Sequence, residues 1–312
     1  MRLLLAALCL VVAGQSRADE AFVTNQSSDD LSVVDLASGN TLATLPIGGR
    51  PAGVAVSDDG KRAYVTSPEG KSVSIIDTAA RKVVGKVETG GGPLGVAVHP
   101  SGKPLYVADW YEHVVYVIDP GAGKVTAKIE TGLSPSGLAL TPDGSLLISA
   151  DRDSNEISFI DTTSGKRTGS LRVGDRPFGV TIDPEGKRAY VANVATNDVS
   201  VVDIAARKVI AQPKVGDRPY AVALAKGKAF VTAQYAGQVS VFDLATFKDL
   251  GPITVGDYPE GIETSPDGKR VYVSNWFSNT LSEIDADTLK VLRDLDTGNG
   301  PRAFGRFIRK TP

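Results

Sequence analysis

The sequence predicts an all-β fold, a seven-bladed β-propeller of four-stranded antiparallel blades, because three residue series repeat in step along the chain. An aromatic or apolar residue opens a Tyr-Val-Thr-like motif at Phe22, Tyr64, Tyr106, Ile148, Tyr190, Phe230 and Tyr272. An Asp closes the following apolar run at Asp35, Asp77, Asp119, Asp161, Asp203, Asp243 and Asp285. A Pro ends a turn at Pro51, Pro93, Pro135, Pro177, Pro219, Pro259 and Pro301. Each series advances by 42 residues, apart from one step of 40, so all three agree on seven copies.

Each copy reads as four short strands. A first run such as Gly53-Val54-Ala55-Val56 leads to an Asp-Gly or Glu-Gly turn, as at Asp59-Gly60 and Asp267-Gly268. A second strand follows, of the type Arg62-Ala63-Tyr64-Val65-Thr66, then a polar loop. The third strand ends on the repeated Asp, which can bond the amides of the next turn and so serve seven blades alike. A β-branched fourth strand completes the unit, and helical spacing appears nowhere over a useful length. The single short step arises where Ala225-Lys226-Gly227-Lys228 replaces a longer turn such as Asp183-Pro184-Glu185-Gly186-Lys187, so no strand is lost.

The ends of the chain predict closure. Ala21-Phe22-Val23-Thr24 starts inside a repeat, and Gly300 to Ile308 supplies the first strand of one. The two segments together complete the seventh blade and remove the open edge of a linear stack. Before this lies Arg2, an apolar run Leu3–Val12 and a Ser16-Arg17-Ala18 ending, which predict a signal peptide over 1–18 cleaved ahead of Asp19. The propeller then occupies 19–312, with no membrane span left after cleavage.

Composition narrows the chemistry. The 312 residues are 42% hydrophobic and 22% charged, with Lys+Arg 34 against Asp+Glu 36. That is an ordinary globular balance, and it disfavours a nucleic-acid-coating protein. Cys9 and Met1 are the only sulfur residues, so 19–312 contains no thiolate nucleophile, redox pair or thiolate metal site. No nucleophile-elbow or phosphate-cradling glycine motif is present either.

The segments RAYVTSPEGKSVSIID and RAYVANVATNDVSVVD resemble the YVTN family of β-propeller repeats, and the likeness runs from about residue 21 to 308. The resemblance implies the fold. It leaves function open among binding proteins of exported compartments, lactonase-like enzymes, cofactor-binding domains and surface-layer components.

In such a ring the fourth-to-first turns and the second-to-third loops share one face, and there the residue types vary from copy to copy. The candidate ligand-binding residues are Arg176, Phe178, Arg218, Tyr220, Tyr258, Glu260 and Arg302 around the Pro turns, with Trp110 and Trp276 in the loops. Guanidinium groups fork onto carboxylate or phosphate, and aromatic faces stack on planar groups. The competing expectation for the recurrent Arg is a structural one, in which it caps the turn. His99 reads as part of a scaffold turn, and His113 is the one histidine placed for acid–base work. Asp151-Arg152-Asp153-Ser154-Asn155-Glu156 resembles the opening of a calcium loop but lacks its sixth-position Gly and distal Glu, so a solvated turn is expected.

The sequence therefore favours an exported, non-enzymatic binding or scaffold protein, with no catalytic residue, metal site or cofactor assigned. It is expected to be periplasmic, with secretion as the alternative, and monomeric, presenting the loop face to a small anionic or planar ligand or a partner protein. Three alternatives stand beside this reading. One is a lactonase-like hydrolase using Glu260, His113 and Arg218. Another is an accessory to quinone- or haem-dependent redox enzymes, handling PQQ or another quinone. The third, not favoured, is a single-stranded nucleic-acid binder.

Overall fold

A computed structural model describes residues 19–311. The signal peptide expected over 1–18, and Cys9 with it, lies outside these residues. Seven sheets surround a central axis, and consecutive strands pair antiparallel within each sheet. One blade shows the plan: Pro177–Ile182 lies innermost, then Arg188–Asn193, Asp198–Asp203 and, outermost, Lys208–Ala211. Counting from Gly53–Val56 as the innermost strand of blade 1, this is blade 4. Two short 3-10 turns, Arg152–Ser154 and Gln234–Ala236, are the only helix among the described residues.

The middle strands carry the core. Arg62–Ser67 and Ser72–Asp77 are almost wholly buried, whereas the outer Lys82–Glu88 is mostly exposed. Side chains from both faces of each sheet fill the gaps between blades, which is why apolar residues continue along the inner strands instead of alternating. Outer strands carry Lys and Glu, which discourage edge pairing with other chains.

Two features of the repeat explain how blades lock together. The innermost strands converge so closely that a Cβ at Gly53, Gly95, Gly137 or Gly261 would collide with a backbone carbonyl of the next blade. Glycine is required there by space. The hydroxyl of the Tyr-Val-Thr-like motif then bonds across the same junction. Thr24 donates to Ala52 O at 2.8 Å, Thr66 to Leu94 O at 2.6 Å, Thr232 to Glu260 O at 2.9 Å and Ser274 to Arg302 O at 2.7 Å. Where blade 3 has Ala150 instead, Ser136 takes over and reaches Phe178 O at 3.0 Å.

The seventh blade is assembled from both ends of the chain, as the sequence predicts. Glu20–Asn25 pairs with Ile308–Arg309 on one side and with Asp30–Asp35 on the other. The closing strand departs from the other six. Between the Pro301–Asn25 bridge and the Ile308–Ala21 pair, Phe304–Arg306 leaves the blade and pairs in parallel with Gly53–Ala55 of blade 1. Glu263 holds this detour: one carboxylate oxygen accepts the amides of Phe307 at 2.5 Å and Ile308 at 2.6 Å. Burial pushes the Glu263 carboxyl up to about 7, against the pull of Arg306 and of the two amides. A second clasp joins Glu20, 1% exposed, to Arg81 at 2.7 Å and Arg309 at 3.0 Å.

The Asp series behaves as scaffolding. Asp35, Asp77, Asp119, Asp161, Asp203, Asp243 and Asp285 each accept turn amides. Those backbone bonds lower the carboxyls of Asp77 and Asp119, the charged form being the better acceptor. The expected solvated turn at Asp151 needs correction. Asp153 is exposed, but Asp151 ends the second strand and is fully buried. Burial pushes its carboxyl up to about 6, against bonds from Ser158, Ser149 and the Gly132 amide.

Candidate functional site

The turns that enter each blade are built on an unusual backbone. Arg50, Ser134, Arg176, Arg218 and Tyr258, each preceding its Pro, are left-handed with φ between 54° and 60°. A capping side chain from the preceding blade supports most of these conformations by binding the turn amide. Asp29 accepts Arg50 N at 2.7 Å, Asn155 accepts Arg176 N at 2.8 Å and Asn197 accepts Arg218 N at 3.0 Å. His113 does the same work, its Nδ1 accepting Ser134 N at 3.0 Å. That bond makes His113 a turn cap. The capping role foreseen for the recurrent Arg thus belongs to its backbone, and its guanidinium is left over the face.

Residues on the two sides of each Pro separate. Those before it stay on the loop face, and those after it turn into the throat of the ring. The nine candidates accordingly fall into two groups. Phe178, Tyr220, Glu260 and Arg302 form a plug with Phe304 and Gln234. The Phe178 and Tyr220 ring centroids are 4.1 Å apart, and Phe304 lies 5.0 Å from Phe178 and 5.6 Å from Tyr220. Trp110 covers this plug from outside, 6.2 Å from Phe178, with the Arg152 guanidinium 5.2 Å above its own ring.

A buried ion pair completes the plug. Arg302 Nε lies 2.7 Å from Glu260 Oε2, Gln234 Nε2 donates to Glu260 Oε1 at 2.9 Å, and an Arg302 Nη donates to the Tyr220 hydroxyl. Burial pushes the Glu260 carboxyl up, opposed by Arg302. Burial works against the Arg302 charge as well, but Glu260 and Tyr220 more than offset it. Both oxygens of Glu260 therefore have protein partners, and its position is that of a packed structural group.

The second group lies open on the face over blades 4 to 6. Arg176 is exposed; Arg218, Tyr258 and Trp276 are half-buried. Tyr258 sits 5.7 Å from Trp276 and 5.1 Å from Phe277, while Arg218 stands over Tyr235 at 4.5 Å and donates to its hydroxyl at 3.2 Å. Tyr235 and Phe277 are 58% and 64% exposed, so this aromatic array presents faces to solvent. Neither is among the candidates that sequence reasoning assigned to the site. Their 42-residue register with Glu69 and Asp153 was the available signal, because it puts each directly opposite a turn residue.

Among the described residues, no group of three or more His, Cys, Asp or Glu side chains is arranged to hold a metal ion. No described helix is long and apolar enough to cross a membrane.

The fold defines a seven-bladed propeller with a plugged throat and an open aromatic and cationic strip on one face. A family model described as a YNCE-like beta-propeller matches residues 7–100. Among solved structures, the chain is similar to Kuenenia stuttgartiensis hydrazine synthase, with 23% identity and a TM-score of 0.73 over 81% of this chain and 88% of that one. It is also similar to a functionally unknown protein from Desulfotomaculum acetoxidans DSM 771, with 16% identity and a TM-score of 0.79 over 92% of this chain and all of that one. No curated protein matches the chain. These likenesses are to the fold.

Proposed function

We propose that the protein is an exported, periplasmic binding propeller whose loop face, over blades 4 to 6, recognises a small anionic or planar ligand. The observation that carries this reading is the contrast within that face. Tyr235 and Phe277 are largely exposed beside Tyr258, Trp276 and Arg218, while the throat residues are saturated by one another. Large aromatics grouped in the open on a rigid scaffold suit recognition better than packing. Export rests on the signal-peptide pattern over 1–18.

Thermal melting of the purified protein against lactones, sugar phosphates, quinone cofactors and short oligonucleotides tests the binding reading. A ligand present at about 100 times its Kd stabilises the native state by about 2.7 kcal/mol, and the reading requires at least one such ligand. Mass spectrometry of the chain recovered from a periplasmic fraction tests export, with Asp19 as the expected first residue. An intact N-terminus in the cytoplasm contradicts it.

A further inference from the structure

Seven copies of one turn provide an internal comparison. The residue before each Pro faces the second residue of the second-to-third loop in the same blade. Reading round the ring from blade 1, Arg50 faces Glu69, and Arg50 Nε lies 3.2 Å from a Glu69 oxygen. Next, the Tyr111 ring occupies the space beside Gly92, and Ser134 Oγ donates to Asp153 at 2.7 Å. Tyr258 meets Phe277 edge to face, and Ser27 sits beside Gly300. Polar turn residues in blades 1 and 3 are thus met by a carboxylate.

Blades 4 and 5 break this pattern. Opposite Arg176 the chain has Ala195, and opposite Arg218 it has Tyr235. Among the described residues the Arg176 guanidinium makes no hydrogen bond or ion pair. Arg218 touches the Tyr235 ring and hydroxyl, but its Nε is buried with no partner. A buried donor without an acceptor costs free energy, so an acceptor supplied from outside is favoured there. The two guanidinium groups line one cleft between the blades, of about 260 Å³, together with Val194, Asn197, Asp217 and Tyr235. Asp217 does not neutralise them: its Oδ1 accepts Asn197 Nδ2 at 3.2 Å, and no ion pair joins it to either Arg.

We propose that this cleft binds a compact oxyanion, a carboxylate or phosphate group, clamped between Arg176 and Arg218 with Tyr235 as its wall. Stacking on Tyr235 holds the Arg218 fork in place before the anion arrives, which reduces the ordering that binding requires. The inference rests on the loop face being the binding face and assigns its anionic subsite. A carboxylate on a planar body and a free phosphate share this chemistry, and direct binding separates them.

Calorimetric titration of the full protein with benzoate, with inorganic phosphate and with neutral benzamide is the test. Saturable binding of benzoate or phosphate, with none of benzamide, is expected, and which anion binds assigns the source. Arg176→Ala and Arg218→Ala should each weaken that binding by about tenfold or more. The deciding variant is Ala195→Glu, which leaves both guanidinium groups in place and puts an acid opposite Arg176, as Glu69 stands opposite Arg50. It should weaken the anion as strongly, with an unchanged melting temperature because Ala195 is exposed. Absence of saturable binding by both anions, or binding indifferent to Ala195→Glu, overturns the proposal. If a ligand of the loop face is found whose effect is lost in Trp276→Ala but kept in Ala195→Glu, the anion cleft fails and the wider binding reading survives.

Discussion

Arg302 and Glu260 meet in the throat of the ring, with Nε 2.7 Å from Oε2, and their side chains are only 16% and 6% exposed. Their pairing closes the loop-face end of the channel. It also sets a clear expectation for substitution, since a buried charge left without its partner is costly. Arg302→Met should destabilise the fold by about 3–5 kcal/mol, and adding Glu260→Leu should recover most of that loss. Urea unfolding of the single and double variants checks this; a double variant no more stable than the single one contradicts it.

Asp151 makes stability depend on pH. Its folded carboxyl is raised by burial to about 6 from an ordinary 3.8, so the folded state holds its proton over a range in which the unfolded chain has lost it. The Asp151 contribution to stability therefore falls as pH rises from 3.8 to about 6. Blades 4, 6 and 7 carry Asn193, Asn275 and Asn25 at the same position, where Asn193 Nδ2 donates to Ser200 Oγ at 2.9 Å. Asp151→Asn can adopt that arrangement, and should be more stable than the parent at pH 7 by up to about 3 kcal/mol. Melting curves at pH 4 and pH 7 should show the advantage growing with pH.

Glu263 clasps the closing strand, and its two amide bonds should show in local exchange. Glu263→Ala leaves the amides of Phe307 and Ile308 without their acceptor, at roughly 1–3 kcal/mol for each buried group. Hydrogen exchange should speed up over residues 304–309 more than over the inner strand of blade 4. Glu263→Gln keeps an acceptor oxygen and removes the charge. It should keep the protection and flatten the pH dependence between 4.5 and about 7, over which the parent loses stability as pH rises.

Gly95 tests the spacing of the ring. A Cβ there would collide with Ser136 O and crowd the Ser136 carbonyl carbon of the next blade. Gly95→Ala should cost about 1–3 kcal/mol or more, because backbone on both sides has to move. The substitution Gly268→Ala, at an open turn with φ +71°, should cost about 1 kcal/mol through backbone strain alone. Equal melting temperatures for the two variants contradict the account of blade spacing.

The fold was legible because a period of 42 residues recurs in three series with separate structural duties: Asp binding turn amides, an aromatic or apolar side chain of the second strand buried in the core, and Pro entering the inner strand. The site was legible by face and not by depth. Arg176 and Phe178 flank one Pro, and sequence reasoning gave them a common mouth. The left-handed conformation before Pro177 instead sends Arg176 outward, while the strand that begins at Pro177 sends Phe178 inward. His113 was hidden for a different reason, since its role comes from Nδ1 substituting for the Oδ1 of Asn155 and Asn197 in other blades. The place of Phe304 in the plug depends on the irregular closing strand, whose extra residues follow no repeat.

The central claim is that the loop face over blades 4 to 6 binds a ligand. Melting of the parent, Arg218→Ala, Trp276→Ala and Glu185→Ala side by side across the ligand panel tests it most directly, Glu185 being an exposed residue of the opposite face. The account predicts a ligand that raises the melting temperature of the parent and of Glu185→Ala, with the shift reduced or lost in Arg218→Ala and Trp276→Ala. A ligand whose shift survives in both loop-face variants, or a panel that shifts nothing, contradicts it.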